Sequence, residues 1–373
     1  MPYQLPASLE LLHHRPPLID VRAPIEFARG AVPGAINLPL MDDDERRRVG
    51  ERYHRNGNEA AVALGHQLVS GRLRERRLDA WRDFIAAHPG AMLYCARGGQ
   101  RSAIAQRWLA EAGSEVARLQ GGYKSARQTL MQATEQAARA PMVVVSGLTG
   151  CAKTRLLLAL EHGVDLEGHA RHKGSSFGRQ PVETPTQIDF EHQLALDLAE
   201  RPTPFVLEDE SRSIGAVEIP LPLWEAMKPA PRVRVEMPLD WRIEQIRRDY
   251  IDDLWVRYRD HYGEWLGWTL MRRQLVSALV RLRKRLGQDR LDRLLNRQQH
   301  AFAQHRRSGD SRAHHGWLAP LLQEYYDPLY HHQLARSGQQ ALFVGDWQAC
   351  LEFVADYCQR HHGEPILAQS VAP

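Results

Sequence analysis

Only four of the 373 residues are cysteines, at positions 95, 151, 350 and 358, and they form neither a C-x2-C pair nor a zinc-ligand spacing. A disulfide scaffold and a zinc ribbon are thereby excluded, and each thiol has to be judged singly. Long apolar runs are missing too: none approaches the roughly 20 residues that a bilayer span needs, and mean hydropathy is -0.47. Residues 1–12 show neither the basic start and apolar stretch of a secretory leader nor the Arg/Ser-rich character of a transit peptide. A cytoplasmic location without a membrane partner is therefore expected. Internal repeats are absent, and the one biased tract is the Ala-rich run at 133–140. With 43% hydrophobic and 25% charged residues, the length suits two folded domains.

The net charge of +4 is unevenly spread. Between Trp241 and Trp317 there are 17 Lys/Arg and 9 Asp/Glu, so that segment carries a surplus of eight while the rest of the chain is net negative by four. Short apolar runs at 18–21, 91–94 and 116–119 read as strands, and 80–88 and 101–113 read as helices. A helix-forming stretch then runs to residue 140 and is stopped by Pro141. A domain boundary falls there, giving a first domain over 1–135 and a second over 141–373. The second opens with a strand at 142–146, a Gly-bearing loop and a helix at 154–162, and adds strands at 204–208, 233–237 and 341–345. Residues 240–332 form a basic helical insertion. The fold class expected is α/β in both domains.

Two loops carry chemistry. Cys95 follows the 91–94 strand and opens the loop Ala96-Arg97-Gly98-Gly99-Gln100-Arg101-Ser102, which feeds a helix. Gly98 and Gly99 let backbone N–H groups converge, the helix N-terminus adds positive potential, and Arg97 and Arg101 add full charges: a cradle for a thiolate or an oxyanion. Cys350 and Cys358, in a helical stretch, read as core thiols. The second loop, Gly147-Leu148-Thr149-Gly150-Cys151-Ala152-Lys153-Thr154, has the phosphate-loop spacing between a strand and a helix. Its backbone would cradle a diphosphate, Lys153 would neutralise it, and Thr154 could hold Mg²⁺. Ala152 stands where the pattern has glycine, which is tolerable if that residue has ordinary helical dihedrals. Glu208 and Asp209 end an apolar strand near this loop. No residue set fixes a metal; Thr154 with Asp209 is the pair that would hold Mg²⁺.

The residues Leu18 to Arg22, Glu26-Phe27 and Gly30 to Pro39 resemble the rhodanese signature, and the C-x5-R spacing from Cys95 to Arg101 is similar to that of rhodanese-like dual-specificity phosphatases. Two readings stay open on this loop, a chalcogen-carrying thiol and a thiol that attacks a phosphoester; a rhodanese-like phosphatase fused to a P-loop kinase is the alternative for the whole chain. A rhodanese unit followed by a P-loop unit, the stretch 165–178 containing His172, Ser175 and Ser176, and Glu208-Asp209-Glu210-Ser211-Arg212 resemble the tRNA 2-selenouridine synthase family. So do 43–57 and Gly121-Gly122-Tyr123-Lys124, while Ala152 and Lys173 depart from the family's Gly and Arg. The resemblance implies conversion of the wobble 2-thiouridine of tRNA to 2-selenouridine through an S-geranyl intermediate. Geranyl diphosphate would be bound by the phosphate loop with Glu208, Asp209, Arg212, His172, Ser175 and Ser176, and selenium would pass from selenophosphate through a perselenide on Cys95. No tightly bound cofactor is implied; tRNA and an enzyme that makes selenophosphate are the expected partners. For the tRNA surface, Arg247, Arg248, Arg257, Arg272, Arg273, Arg281, Arg283, Lys284 and Arg285 would meet phosphates, and Trp265 and Trp268 would stack on an unpaired base.

Overall fold

The structure, a computed structural model, describes residues 3–363 and 365–366. Two compact units are present, the first built mainly of Met1–Ala137 and Thr186–Glu200, the second of Ala138–Pro185 and Arg201–Pro365.

In the first unit β1 (Gln4–Leu5), β2 (Leu18–Asp20), β3 (Ala35–Asn37), β4 (Met92–Tyr94) and β5 (Ala117–Leu119) form one sheet in the order β1-β5-β4-β2-β3, every neighbouring pair parallel. β2 and β4 are buried at every position, as strands covered on both faces must be. The signature Asp20-Val21-Arg22 has a structural cause: Asp20 is fully buried, and Arg22 answers it with Nε at 2.7 Å and Nη2 at 2.6 Å from Oδ2. The Arg22 guanidinium also donates to Gly30 O at 2.9 Å and lies 4.0 Å from the Tyr123 ring centroid. Sequence reading put 141–373 in one domain, but the helix Gln187–Glu200 belongs with the first unit. It packs on the helix Gly122–Ala137, Arg127 pairs with Glu191 at 2.7 Å, and Asp189 accepts the Ala31 N–H at 3.1 Å.

The second unit holds another all-parallel sheet, order β12-β11-β6-β8-β7, from β6 (Met142–Gly147), β7 (Gly163–Val164), β8 (Phe205–Glu208), β11 (Arg232–Val235) and β12 (Phe343–Gly345). The short antiparallel pair β9 (Ser213–Ile214) and β10 (Val217–Glu218) lies apart from it. The helix expected at 154–162 runs only over Lys153–Leu158, because the chain turns back at once into β7; Gly163 lies so close to the Leu157 carbonyl that a Cβ would sit 1.9 Å from it. Between β11 and β12 comes the helical insertion, as expected. Its core gathers Ile243, Leu254, Met271, Leu275, Phe302 and Trp317. Two π-helical turns, Arg248–Asp252 and Leu322–Tyr326, interrupt it, and such turns are frequent at functional sites. Among the described residues no helix is long and apolar enough to cross a membrane.

Removing one partner of a buried ion pair strands the other charge, at a cost of about 3 to 5 kcal/mol. Arg22→Ala is therefore expected to lower the unfolding free energy of the first unit by that order, seen by circular dichroism as a lower urea midpoint. An unshifted midpoint would mean that the Asp20 carboxylate does not depend on Arg22.

Candidate active site

The thiol loop begins where β4 ends. Cys95 is buried, its Sγ 3.2 Å from Ser102 Oγ, and the Ser102 hydroxyl in turn reaches Gly99 O at 3.1 Å from the first turn of the helix Gln100–Glu111. Ser102 can turn its hydroxyl to donate to a thiolate, a role that its place in the loop did not disclose. Gly98 takes a positive φ of 63°, and Gly122, at 60°, comes so close that a Cβ there would lie 2.2 Å from Cys95 O. The Gly121-Gly122-Tyr123-Lys124 stretch thus closes the loop from behind: Tyr123 N donates to Cys95 O and Lys124 N to Ala96 O, both at 2.9 Å. Arg97 is exposed beside the loop. Arg101, expected to charge the cradle, instead gives Nη1 and Nη2 to Glu26 at 2.6 and 3.1 Å. Burial works against the Glu26 carboxylate, yet Arg101 outweighs it and holds that carboxyl below its ordinary range. A committed Arg101 is not placed to clamp a phosphoester, which counts against the phosphatase reading. A cavity of about 790 Å³ borders this loop.

The phosphate loop leaves the end of the central strand β6. Gly147 and Gly150 are required by contact: a Cβ on the first would meet Val235 O at 2.5 Å, and on the second Ile246 Cδ1 at 2.7 Å. Arg242 donates to Thr149 O at 3.2 Å while holding Asp327 with two bonds of 2.8 Å, and Trp347 Nε1 donates to Ala152 O at 3.1 Å. Ala152 has φ 58° and ψ 42°, so the condition of ordinary helical dihedrals is not met: a methyl group sits in the left-handed region that glycine normally fills.

Around Lys153 stand three carboxylates. Oxygens of Glu167, Glu208 and Glu210 lie within 4.8 Å of one another, and the Thr154 hydroxyl is 3.1 Å from Glu208 Oε2 and 3.3 Å from Glu167 Oε2. Burial and the neighbouring Glu167 and Glu210 push Glu208 well above the carboxylate range, and burial with Glu167 pushes Glu210 up to about 7. Burial disfavours the Lys153 ammonium, but the Cys151 thiol and the carboxylates outweigh it and the net shift is upward. Asp209, expected beside Thr154, turns instead toward Arg232 at 3.5 Å. The carboxylates at Thr154 are Glu208 and Glu167, the second of which the 165–178 stretch could have signalled. Of the other expected ligand residues, His172 and Ser175 line the cavity of about 520 Å³ over this loop, as do Thr149, Gly150 and Ala152. Cys151 is buried under it, Arg212 pairs away with Glu218 at 2.6 Å, and the Ser176 carbonyl accepts Arg281 Nη2 at 2.6 Å. The cavity shares Thr149, Ser175, Ile246 and Tyr250 with a narrow apolar slot whose walls include Phe177, Trp317, Leu321 and Tyr326. Sequence reasoning missed this slot because its walls come from segments about 150 residues apart.

The basic segment divides. Arg272, Arg273, Arg283 and Lys284 are exposed, and Trp265 is 75% exposed. Arg281 and Arg285 are exposed but anchored, the latter to Tyr325 Oη at 3.0 Å, Arg257 bonds Gln180 at 2.8 Å, and Arg248 pairs with Glu244 at 3.0 Å. Arg247 is spent inside the insertion on Glu244, Asp252 and Ser311. Trp268 is half-buried against the core, edge-on to Trp255 at 5.2 Å and to Phe302 at 5.9 Å, with the Arg306 guanidinium 5.4 Å over its ring, and so is less available than Trp265 for stacking on a base.

Comparison with known proteins covers nearly the whole chain. The family profile described as the AAA domain of tRNA 2-selenouridine synthase matches residues 140–361, and the rhodanese-like domain profile matches residues 5–129. A tRNA 2-selenouridine synthase from Chromohalobacter salexigens is 61% identical over 91% of this chain and 94% of its own length. Those of Pseudomonas fluorescens, 45% identical over 95% and 98%, and Bordetella petrii, 46% identical over 93% and 94%, are similar along the same span.

Ala152→Gly removes a strained left-handed alanine. The expected gain in unfolding free energy of the second unit is about 1 kcal/mol, the relief of the left-handed penalty less glycine's extra chain entropy. An unchanged or lowered urea midpoint would show that Ala152 is not held in that conformation.

Proposed function

Since the chain belongs to the tRNA 2-selenouridine synthase family, we propose that it converts the wobble 2-thiouridine of tRNA to 2-selenouridine in two steps, with geranyl diphosphate and selenophosphate as co-substrates. The observation that carries the first step is the continuity of the Lys153 cavity with an aromatic, apolar slot. The slot is about 30 Å³ as it stands, so an isoprenoid chain attached to a diphosphate on the loop enters it as Phe177, Tyr250, Trp317 and Tyr326 move apart. The thiocarbonyl sulfur attacks the allylic carbon, the carbon–oxygen bond breaks, and its electron pair leaves on the diphosphate, where Lys153 and the loop N–H groups meet the growing charge. Aromatic faces favour the positive charge that develops on the allyl group. No nucleotide hydrolysis is needed, and ATP is not consumed.

A hydroxyl and clustered carboxylates are the oxygen donors that Mg²⁺ prefers, and Thr154 with Glu208 and Glu167 would hold it. Bound there, it would supply a Lewis acid for the departing diphosphate. Raised carboxyl pKa values support this fit, because a cation relieves the repulsion that now keeps protons on the cluster. In the second step selenium replaces the alkylthio group at C2 of the base, and Cys95, with Ser102 beside it, is the thiol that serves the transfer. The exposed Arg272, Arg273, Arg283, Lys284 and Trp265 supply phosphate and base contacts for tRNA.

The test is nucleoside mass spectrometry on a 2-thiouridine tRNA treated with the pure protein and both co-substrates. Cys95→Ser is expected to halt the reaction at S-geranyl-2-thiouridine with tRNA affinity unchanged; continued formation of 2-selenouridine would remove Cys95 from the selenium step. Lys153→Ala is expected to slow geranyl transfer by about 100-fold or more at saturating substrate. An unaltered rate would assign the phosphate loop to another ligand.

A further inference from the structure

The cavity beside Cys95 is out of proportion to its assigned task. Protein interiors are packed to crystal-like density, yet here about 790 Å³ stands open above a loop that needs to hold only one phosphoryl-sized ion. Its size is that of sites for whole organic ligands. Apart from the thiol loop, most of its exposed wall surface is apolar, with Leu40, Met41, Val49, Ala61, Val62 and Trp108 contributing, while Glu26, Arg46, Arg47, Glu51, His54 and His66 also line it. The wall is also unusual in origin. Asp43–Leu68, broken at Gly57 with φ 79°, buries only Glu45 and Ala61 along its 26 residues, and Ala61 and Val62 line the cavity together with Val49, which also packs against the core. Cys95 and exposed Arg97 lie at the same cavity, so an apolar body inside it would be joined to something that reaches the thiol and tolerates a cation.

We propose that this chamber is a prenyl subsite for the selenium step: it takes the geranyl chain of S-geranyl-2-thiouridine and so lays C2 of the base beside Cys95. The inference rests on the two-step reading above. Within that reading, the S-geranyl nucleotide is the species that is both apolar and required at the thiol loop. The chain is held by burial of its methyl and methylene groups, and the ribose–phosphate backbone stays outside near Arg97. The selenium of selenophosphate bonds to C2, the carbon–sulfur bond breaks and its electron pair leaves on the geranyl thiolate, which takes a proton from water; a second water then takes the phosphoryl group as the selenium–phosphorus bond breaks, releasing phosphate and leaving the C2 selenium of 2-selenouridine. A chamber that binds the leaving group explains why an alkyl group would be installed before the exchange: it anchors the base where the chalcogen arrives, and it converts a poor leaving sulfide into a thiolate.

The experiment compares anticodon-loop oligonucleotides bearing S-geranyl- and S-methyl-2-thiouridine, each given selenophosphate, with wild-type protein and with Val62→Trp, which puts an indole into the apolar wall of the chamber. Ala63→Trp, on the exposed side of the same helix, controls for the bulk of the new side chain. Val62→Trp is expected to raise KM for the S-geranyl substrate by about tenfold or more, leaving the S-methyl substrate little changed, with Ala63→Trp like wild type. An equal response of the two substrates to Val62→Trp, or none, overturns the subsite. Calorimetric titration with the S-geranyl-2-thiouridine nucleoside reads the site without turnover. Should wild-type protein exchange neither substrate, the two-step reading fails by itself; the subsite then stands if the nucleoside binds wild type and not Val62→Trp, and falls if wild type does not bind it.

Discussion

An ammonium half-buried among other side chains is favoured only where neighbours answer its charge, and the phosphate-loop site of the second unit is arranged around that demand at Lys153. The parallel sheet brings the ends of β6 and β8 side by side, which sets Lys153 after one strand and Glu208 at the tip of the other. Glu167 arrives from the helix after β7 and Glu210 from the turn after β8. The loop 172–178 is drawn down over them: Gly174 N donates to Glu167 Oε1, and a Cβ at Gly174 would collide with the Glu210 carboxylate. Three carboxylates more than compensate for one ammonium. The surplus is held in check by protons, which is why Glu208 and Glu210 titrate so high.

The thiol site of the first unit meets a different constraint with different means. A reactive sulfur requires polar groups that face it, but the strongest nearby charges are tied up in structure: Arg101 on Glu26, Arg22 on Asp20. What remains at the sulfur is a hydroxyl, converging backbone, a helix N-terminus and exposed Arg97, with exposed Arg46 and Arg47 also on the cavity wall. That set suits transfer of a group through a small anion better than firm capture of a doubly charged phosphoester, for which a free guanidinium fork would be the natural partner. Shape takes over where charge is spent, since the largest feature at the sulfur is the apolar chamber.

How much of this was legible beforehand depends on whether the deciding contact is local. The two loops, the strands that launch them and the inserted helices were readable because each is written in consecutive residues. Asp209 was misjudged because strand parity sends successive side chains to opposite faces, so that Glu208 faces Thr154 and its neighbour faces Arg232. Helical phase does not separate Trp265 from Trp268, since residues three apart share a helix face; Trp265 stays exposed while Trp255 and Phe302, from elsewhere in the insertion, pack on Trp268. The helix Gln187–Glu200 was assigned to the wrong unit since nothing in its own composition says which surface will cover it; Arg127 and Ala31, far off in sequence, decide that. Ala152 was read correctly as a departure, but its left-handed conformation follows from the turn that the phosphate loop must make.

The same electrostatics bear on what the phosphate loop can accept. A diphosphate brings several negative charges to a cluster that already carries more acid than base, and Lys153 alone cannot neutralise it. Either the carboxylates remain protonated as the ligand arrives, or a divalent cation comes with it and displaces their protons. In both cases the surrounding groups are held in place before the ligand comes: Arg242 and Trp347 pin the loop through backbone carbonyls, and neither bond has to break for a ligand to enter. The site therefore spends its flexibility on protons and ions, which move fast, rather than on backbone. That division is what a leaving-group site needs, because the charge it must meet appears only as the bond breaks and leaves no time for the chain to rearrange.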